Sequence, residues 1–391
     1  MKRIASLLTA ALLLANVPAP SAGAYVLNHT IALNGGCPQL NRMDTGTSIN
    51  RRWSTSPNSA VRTAGGTWSG SGQANEIQQS ILNAYAAWTG VAATSLLPTS
   101  FAALQQTPTQ NACTTTDGLH TICFNDSDNF SSGVLAFARV VTSDILGESF
   151  PNTGPSAFIG EILDADVQFR PADSSNFTYA TPGALNSSHF DLESVLTHEI
   201  GHTLGFSHSS VMRAMMYPFA PPRGVFLGDR PTPQNLDAQL SDDDRTGLRV
   251  LYPDMSDTVH IGEISGRVLP ANPLALFGIP DSSAGRPVTG IFGAHVVAVD
   301  ADTGAVIAGV LGGWTCNPAE PTPITTFDGF YRIERLPVNR NYIVYAEPMD
   351  GPTDADNIGG ALFDLCRGST PNNCSVPDVN TRFNTRIRPS P

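Results

Sequence analysis

The chain is almost without lysine: Lys2 is the only one among 391 residues. Charge of either sign is scarce, at 14% of residues, and 34 acids outnumber 22 basic groups for a formal net charge of −12. So few cations disfavour nucleic acid and anionic membranes as partners. A peptide substrate is left open. Long apolar runs are missing too. The one run, Ile4 to Val17, is too short to span a membrane as a helix. No two of the six cysteines form a CxxC, which argues against a zinc site built from thiolates. The acid-rich stretch from Asn125 to Asn129 lacks the spacing of an EF-hand loop.

What is present begins with an export signal. Lys2 and Arg3 precede the apolar run, and Ala22-Gly23-Ala24 offers small residues for cleavage. Residues 1–24 therefore read as a signal peptide, leaving Tyr25 first in a secreted, extracellular protein. Cleavage lowers the basic count to 20 against 34 acids, a net charge of −14. Hydrophobic content of 41% suits a folded chain, and its length allows two or three domains. The 35 Gly and 30 Pro point to many turns and much β structure. In an exported protein the six Cys suggest disulfides. Cys113 with Cys123, and Cys366 with Cys374, would each close a short loop. Cys37 and Cys316 remain, to pair or stay free, and six cysteines allow fifteen connectivities.

The chemistry is concentrated in residues 198–218, HEIGHTLGFSHSSVMRAMMYP. His198 and His202 are four apart, so a helix places both imidazoles on one face, within reach of one metal ion. Glu199 lies next to the first ligand, able to reach metal-bound water without being a ligand itself. Gly205 can take the left-handed conformation that ends a helix, and the turn would bring His208 to the same ion. Three neutral His ligands leave a tetrahedral zinc with one open position, the pattern of a catalytic site. Zinc brings the pKa of bound water to about 7, and Glu199 would serve as general base and then acid. A lone HExxH occurs by chance in many helices; Gly205, His208 and a downstream Met make it specific.

With that downstream Met, the pattern is identified as the metzincin signature. The segment resembles the matrixins, the metzincin branch that includes the matrix metalloproteinases, in which the third His is followed by Ser, as by Ser209 here. Ala214-Met215-Met216-Tyr217-Pro218 resembles the family's Ala-Leu-Met-Tyr-Pro with no gap from His208. On that spacing Met216 is the Met-turn residue, an apolar floor under the zinc. Taking Met215 instead would put Tyr217 where astacins place a tyrosine ligand. Gly133-Val134-Leu135-Ala136-Phe137-Ala138 resembles the family's Gly-x-Leu-Ala-His-Ala strand, which forms the upper edge of the cleft and pairs with substrate backbone. The resemblance thus implies substrate contacts at Val134, Leu135 and Ala136. It also implies a wall at Pro218 and Phe219 for the side chain just after the cut bond. Phe137 stands where the family has a ligand of a second, structural zinc, so one zinc is expected. Cys37, in GGCPQLN, lacks the family's Pro-Arg-Cys-Gly switch pattern, and an ordinary disulfide suits it better.

The remaining segments fit around this site. Residues 25–52 show no periodicity, and Trp53 to Trp68 enters the first strand. Ile77, Ile81 and Tyr85, with Ala84 and Trp88, give Glu76–Trp88 one buried helical face. Thr121–Phe124 and Asp164–Phe169 read as strands. The acids of 125–129 and 164–166 could hold calcium, with a solvated turn as the competing account. Asp191 caps the active-site helix, whose buried stripe is Leu192, Val195, Leu196 and Ile200. Ser241 and Asp244 form a capping box that opens a closing helix ending at Pro253. A cap accounts for these acids without a catalytic role. Beyond it, Val259–Val268, His295–Val299, Ala305–Val310 and Tyr331–Ala346 read as strands, with Asp300–Gly304 as a hairpin turn. This stretch resembles the prealbumin-like sandwich appended to carboxypeptidases, which usually stabilises or binds a partner or surface. His260 and His295 read there as ordinary strand residues.

The expected architecture is an N-terminal segment at 25–52 and an α+β metzincin catalytic domain at 53–253. That domain would hold a twisted mixed sheet, the active-site helix and the closing helix. An all-β sandwich would follow at 258–391. The expected function is a secreted zinc endopeptidase acting on protein or peptide. The alternatives are a secreted metal-containing binding protein without turnover, and the astacin-like site with Tyr217.

Overall fold

The computed structural model describes residues 25–30, 37–43, 51–53, 62–63, 66–67, 72, 74–96, 105–106, 113, 115–124, 130, 133–170, 178–271, 289–316, 325–326, 328–348 and 386–387. The expected signal peptide, the acids of 125–129 and the Cys366–Cys374 pair lie outside them.

A five-stranded mixed sheet carries the site. Its strands are β1 (Arg52–Trp53), β2 (Gln105–Gln106), β3 (Thr121–Cys123), β4 (Ala136–Thr142) and β5 (Ile162–Phe169), in the spatial order β2-β1-β3-β5-β4. All neighbours run parallel except β4, which is antiparallel to β5. Among the described residues β4 is an edge strand, paired on one side only. It begins at Ala136 and not at Gly133. Gly133, with φ of +86°, belongs to the turn before it.

Two helices pack on the sheet and on each other. Helix α1 (Ala74–Thr89) buries Ile77, Ile81, Ala84, Tyr85 and Trp88, the stripe its periodicity predicts. Helix α2 (Leu192–Thr203) begins at its N-cap Asp191, whose carboxylate accepts from Ser194 N at 2.8 Å. Trp88 Nε1 donates to Thr197 O at 2.8 Å, so the indole joins the two helices with its polar edge satisfied. Phe206 lies against Trp88 with ring centroids 5.0 Å apart. Trp53, Phe124, Phe169 and Tyr179 continue the same core across the sheet.

The opposite face of β5 departs from expectation. Asp164, Asp166 and Gln168 alternate along the strand, but all three are buried and none is solvent-facing. Cys113 and the residues leading to Thr121 lie against them: Cys113 is disulfide-bonded to Cys123, Gln168 Nε2 donates to Cys113 O, and Thr121 N donates to Asp166 Oδ1. Burial, then the charge of Asp164, pushes the Asp166 carboxyl up to about 8.

Helix α3 (Asp242–Leu251) starts with the full capping box between Ser241 and Asp244. Beyond it come three sheets among the described residues, the smallest a pairing of Thr315–Cys316 with Thr325–Thr326. β6 (Gly262–Arg267) pairs with β9 (Phe330–Leu336). The second sheet has the order β8-β7-β10-β11, from β7 (His295–Asp300), β8 (Val306–Leu311), β10 (Tyr342–Glu347) and β11 (Arg386–Ile387). The stretch read as one strand from Tyr331 to Ala346 is thus two, β9 and β10, in different sheets. The turn at Asp300 is a β-hairpin in which Asp300 Oδ1 accepts from Asp302 N and Thr303 N. α3 lies between the two parts of the chain: Thr246 Oγ1 donates to Ile307 O, and Gly309 N donates to Asp243 Oδ1. Cys37 is bonded to Cys316, which settles the pairing left open and ties the N-terminal segment to the C-terminal β region. No helix among the described residues is long and apolar enough to cross a membrane.

Candidate metal centre and active site

The two helical imidazoles are fixed by backbone carbonyls. His198 Nδ1 bonds Met215 O at 2.7 Å, and His202 Nδ1 bonds Phe206 O at 2.9 Å. A carbonyl can only accept, so each neutral ring carries its proton on Nδ1 and keeps the Nε2 lone pair free for a metal. After Thr203 the helix ends, and Gly205 takes φ of +105°. The reversed chain brings His208 to the pair. The ring centroids of His198, His202 and His208 lie 4.8–5.3 Å apart, and one ligand atom from each falls within 4.8 Å of the others. Among the described residues this is the one such grouping.

The donor chemistry fits zinc: three imidazole nitrogens, two of them oriented from behind by carbonyls, all half-buried at the floor of a cleft. Burial, then the neighbouring His208, holds His198 down to about 3, and burial with both partner rings keeps His202 well below the usual range. The His198 and His202 rings are thus neutral at physiological pH, the state a metal needs.

Met216 lies beneath this helix. A Cβ at Gly201 would stand 2.2 Å from Met216 Sδ and 2.7 Å from Trp88, so only glycine lets the methionine and indole seat there. Met216 is completely buried, whereas Tyr217 is half-buried on the cleft wall with its ring 5.8 Å from Phe219.

The acids of α3 do more than cap it. Asp244 Oδ2 accepts from Met215 N at 2.8 Å and Oδ1 from Met216 N at 3.2 Å, so the carboxylate holds the turn under the histidines. Asp243 Oδ2 accepts from Ser209 Oγ at 2.9 Å, beside His208. The capping pattern predicts the first role of Asp244. No local signal shows these longer bonds, which span 28–34 residues.

Glu199 is buried, and its carboxyl takes a hydrogen bond from the Ala138 backbone on β4. Burial pushes it up to about 8 against that bond. It sits with the three histidines in a cavity of about 1070 Å³. Val134, Leu135 and Ala136 line one rim; Tyr217, Pro218 and Phe219 line the other. Phe190, Val195 and Leu227 add an apolar recess. Val134 and Leu135 carbonyls are themselves engaged, by Arg170 and Tyr179, which fixes the approach to β4. Phe137 packs on Phe130 at 5.1 Å. His260 pairs with Asp257, and His295 with Glu347, both away from the histidine trio.

Comparison with known proteins places this geometry. Residues 67–253 match the family model described as Matrixin. Metalloendoproteinase 1 of Glycine max is 38% identical over 112 residues, which cover 27% of this chain and 32% of the relative. Matrilysin of Rattus norvegicus is 33% identical over 134 residues, covering 30% and 44%. Metalloendoproteinase 4-MMP of Arabidopsis thaliana is 45% identical over 62 residues, covering 16% and 15%. The matched stretches thus span less than half the length of these relatives.

Proposed function

Residues 67–253 being a matrixin-like metzincin domain, we propose that the chain is a secreted zinc-dependent endopeptidase acting on protein or peptide. The supporting observation is the convergence of His198, His202 and His208 with Glu199 at the floor of a cleft bordered by the open edge of β4. Zinc, held by the three histidines, would supply an activated water and polarise the scissile carbonyl.

The protein's own groups do the rest. β4 accepts the substrate backbone as an added strand, which orients the cut bond over Glu199. Glu199 takes a proton from the attacking water and returns it to the leaving amine. The carbonyls behind His198 and His202, and the Asp244 bonds to the Met215–Met216 turn, keep the ligands from drifting. The apolar recess of Phe190, Val195 and Leu227, walled by Pro218 and Phe219, receives an apolar side chain just after the cut bond. In this reading residues 258–391 are a β-sandwich domain that stabilises the enzyme or binds a partner or surface, which the strand pairings at 262–267, 295–300, 306–311, 330–336 and 342–347 support. Any calcium at Asp164 or Asp166 would be structural, since these acids lie against Cys113 and the residues leading to Thr121.

The test is hydrolysis of casein and a peptide library by the purified zinc-loaded protein, with and without chelator. Glu199→Ala should lower kcat by about 10²–10⁴ while zinc stays bound. Equal digestion by wild type and variant sinks the mechanism, and zinc binding without any digestion leaves a metal-containing binding protein. Tyr217→Phe should leave the zinc coordination spectrum unchanged; a change would favour a tyrosine ligand.

A further inference from the structure

The N-terminal residues reach both lips of the cleft. On the lower lip they run beside the turn that delivers His208. Ser207 N donates to Val26 O at 2.8 Å, Asn28 N to Gly205 O at 2.9 Å, and Asn28 Nδ2 to Phe206 O at 3.0 Å. Two residues later the same strand touches the upper lip: Thr30 Oγ1 lies 2.9 Å from Oγ1 of Thr142, the last residue of β4. Gln39–Leu40 returns antiparallel to His29–Thr30. It leads to Arg42, whose N–H donates to Gly160 O at 3.1 Å and whose carbonyl accepts from Ile162 N at 2.9 Å. Ile162 is the partner of Thr142 in the sheet. One strand pair therefore joins the two lips, and a contact between lips exists only where a cleft ends.

The two faces of this strand pair have different neighbours. Asn28, Thr30 and Asn41 face the cavity. His29, between Asn28 and Thr30, turns the other way and meets Trp314 edge-on at 6.3 Å. Cys316, two residues from Trp314, is bonded to Cys37. The C-terminal β region thus backs the cleft-facing strand.

The geometry also fixes which end is closed. Tyr179 donates to Leu135 O and pairs with Phe190, so the apolar recess lies toward the start of β4. That recess takes the side chain after the cut bond, so residues before the bond extend toward Thr142. Ala138 is the β4 residue that bonds Glu199. Thr142 is four residues further, about 13 Å along an extended strand.

We propose that residues 28–30 and 39–42 form an end wall that admits about three substrate residues before the cut bond, at one pairing position per strand residue. The last of these meets Asn28, Thr30 and Asn41 and is best a polar side chain; anything further leaves the cleft. The proposal rests on the peptidase reading for the direction of the substrate.

The test uses N-acetylated peptides with a common sequence after the cut bond and two to six residues before it. Binding is measured by calorimetry on zinc-loaded Glu199→Ala protein, and hydrolysis on wild type. In the wall-intact protein the third residue should tighten binding, and the fourth to sixth should change Kd less than about twofold. Leu in place of Ser at the third position should weaken it. Thr30→Gly removes the side chain that meets Thr142, and Trp314→Ala loosens the wall from behind. In both variants the fourth to sixth residues should each tighten binding severalfold. Continued tightening in the intact protein, or no gain in either variant, overturns the wall. A length cut-off in binding with no peptide hydrolysed keeps the wall and removes the peptidase reading. Hydrolysis with no cut-off does the reverse.

Discussion

At the residue scale, single atoms decide what the site tolerates. Gly205 is constrained twice: its φ is +105°, and a Cβ would stand 1.9 Å from Asn41 O. Because the obstacle is backbone, it cannot swing aside. Gly205→Ala should cost at least about 3 kcal/mol, seen as a lower thermal midpoint together with weaker zinc retention. Gly205 is legible in the sequence as a helix-ending turn, but its second constraint depends on a segment 164 positions earlier and is not. Asp166 makes a prediction about pH. Its folded pKa of about 8 lies above the unfolded value near 4, so the folded state binds the extra proton between those limits. Stability from this group is full below about pH 4 and is lost as pH rises toward 8. Asp166→Asn keeps the Oδ1 that accepts Thr121 N and removes the titration. Melts from pH 5 to pH 8.5 should therefore fall less for the variant than for wild type.

At the element scale, periodicity found the helices because each has one apolar face and a polar cap. α1, α2 and α3 lie within two residues of their expected positions. The strands were harder. β4 carries Ala136-Phe137-Ala138 at its start, but Arg139 to Thr142 alternate too weakly to mark its end. In β5 the alternation of Asp164, Asp166 and Gln168 is real, yet a second layer buries the polar face. Local sequence cannot report such a layer. α3 shows how one element serves two purposes. Asp244→Ala removes one half of the capping box, the carboxylate that accepts from Ser241 N, and leaves the Met215 and Met216 amides without their acceptor. A loss of about 3 kcal/mol is expected from the cap and the buried donors together. Zinc affinity should fall with it, measurable by competition with a chromophoric chelator. Asp243→Asn, which keeps an oxygen for Ser209, should lose less.

At the scale of the whole molecule, the metal site was the most legible part because its ligands are packed into eleven consecutive residues. The parts that close the cleft were illegible, because they join residues 28–42 to 142, 205–207 and 314–316. The Cys37–Cys316 bond spans 279 positions. On the chain-entropy account, opening so long a loop by Cys37→Ser with Cys316→Ser should cost about 5–6 kcal/mol, read as a shift in the urea midpoint. His198, His202 and His208 lie within the loop but do not touch the bond, so the spectrum of metal bound at them should persist in the folded variant.

A molecule with the proposed peptidase activity is exposed to its own kind. Any scission between positions 37 and 316 falls inside a covalent ring, so the severed halves stay joined. Preparations nicked between those positions should keep the two halves in one band on non-reducing gels and separate into fragments only once thiol is added.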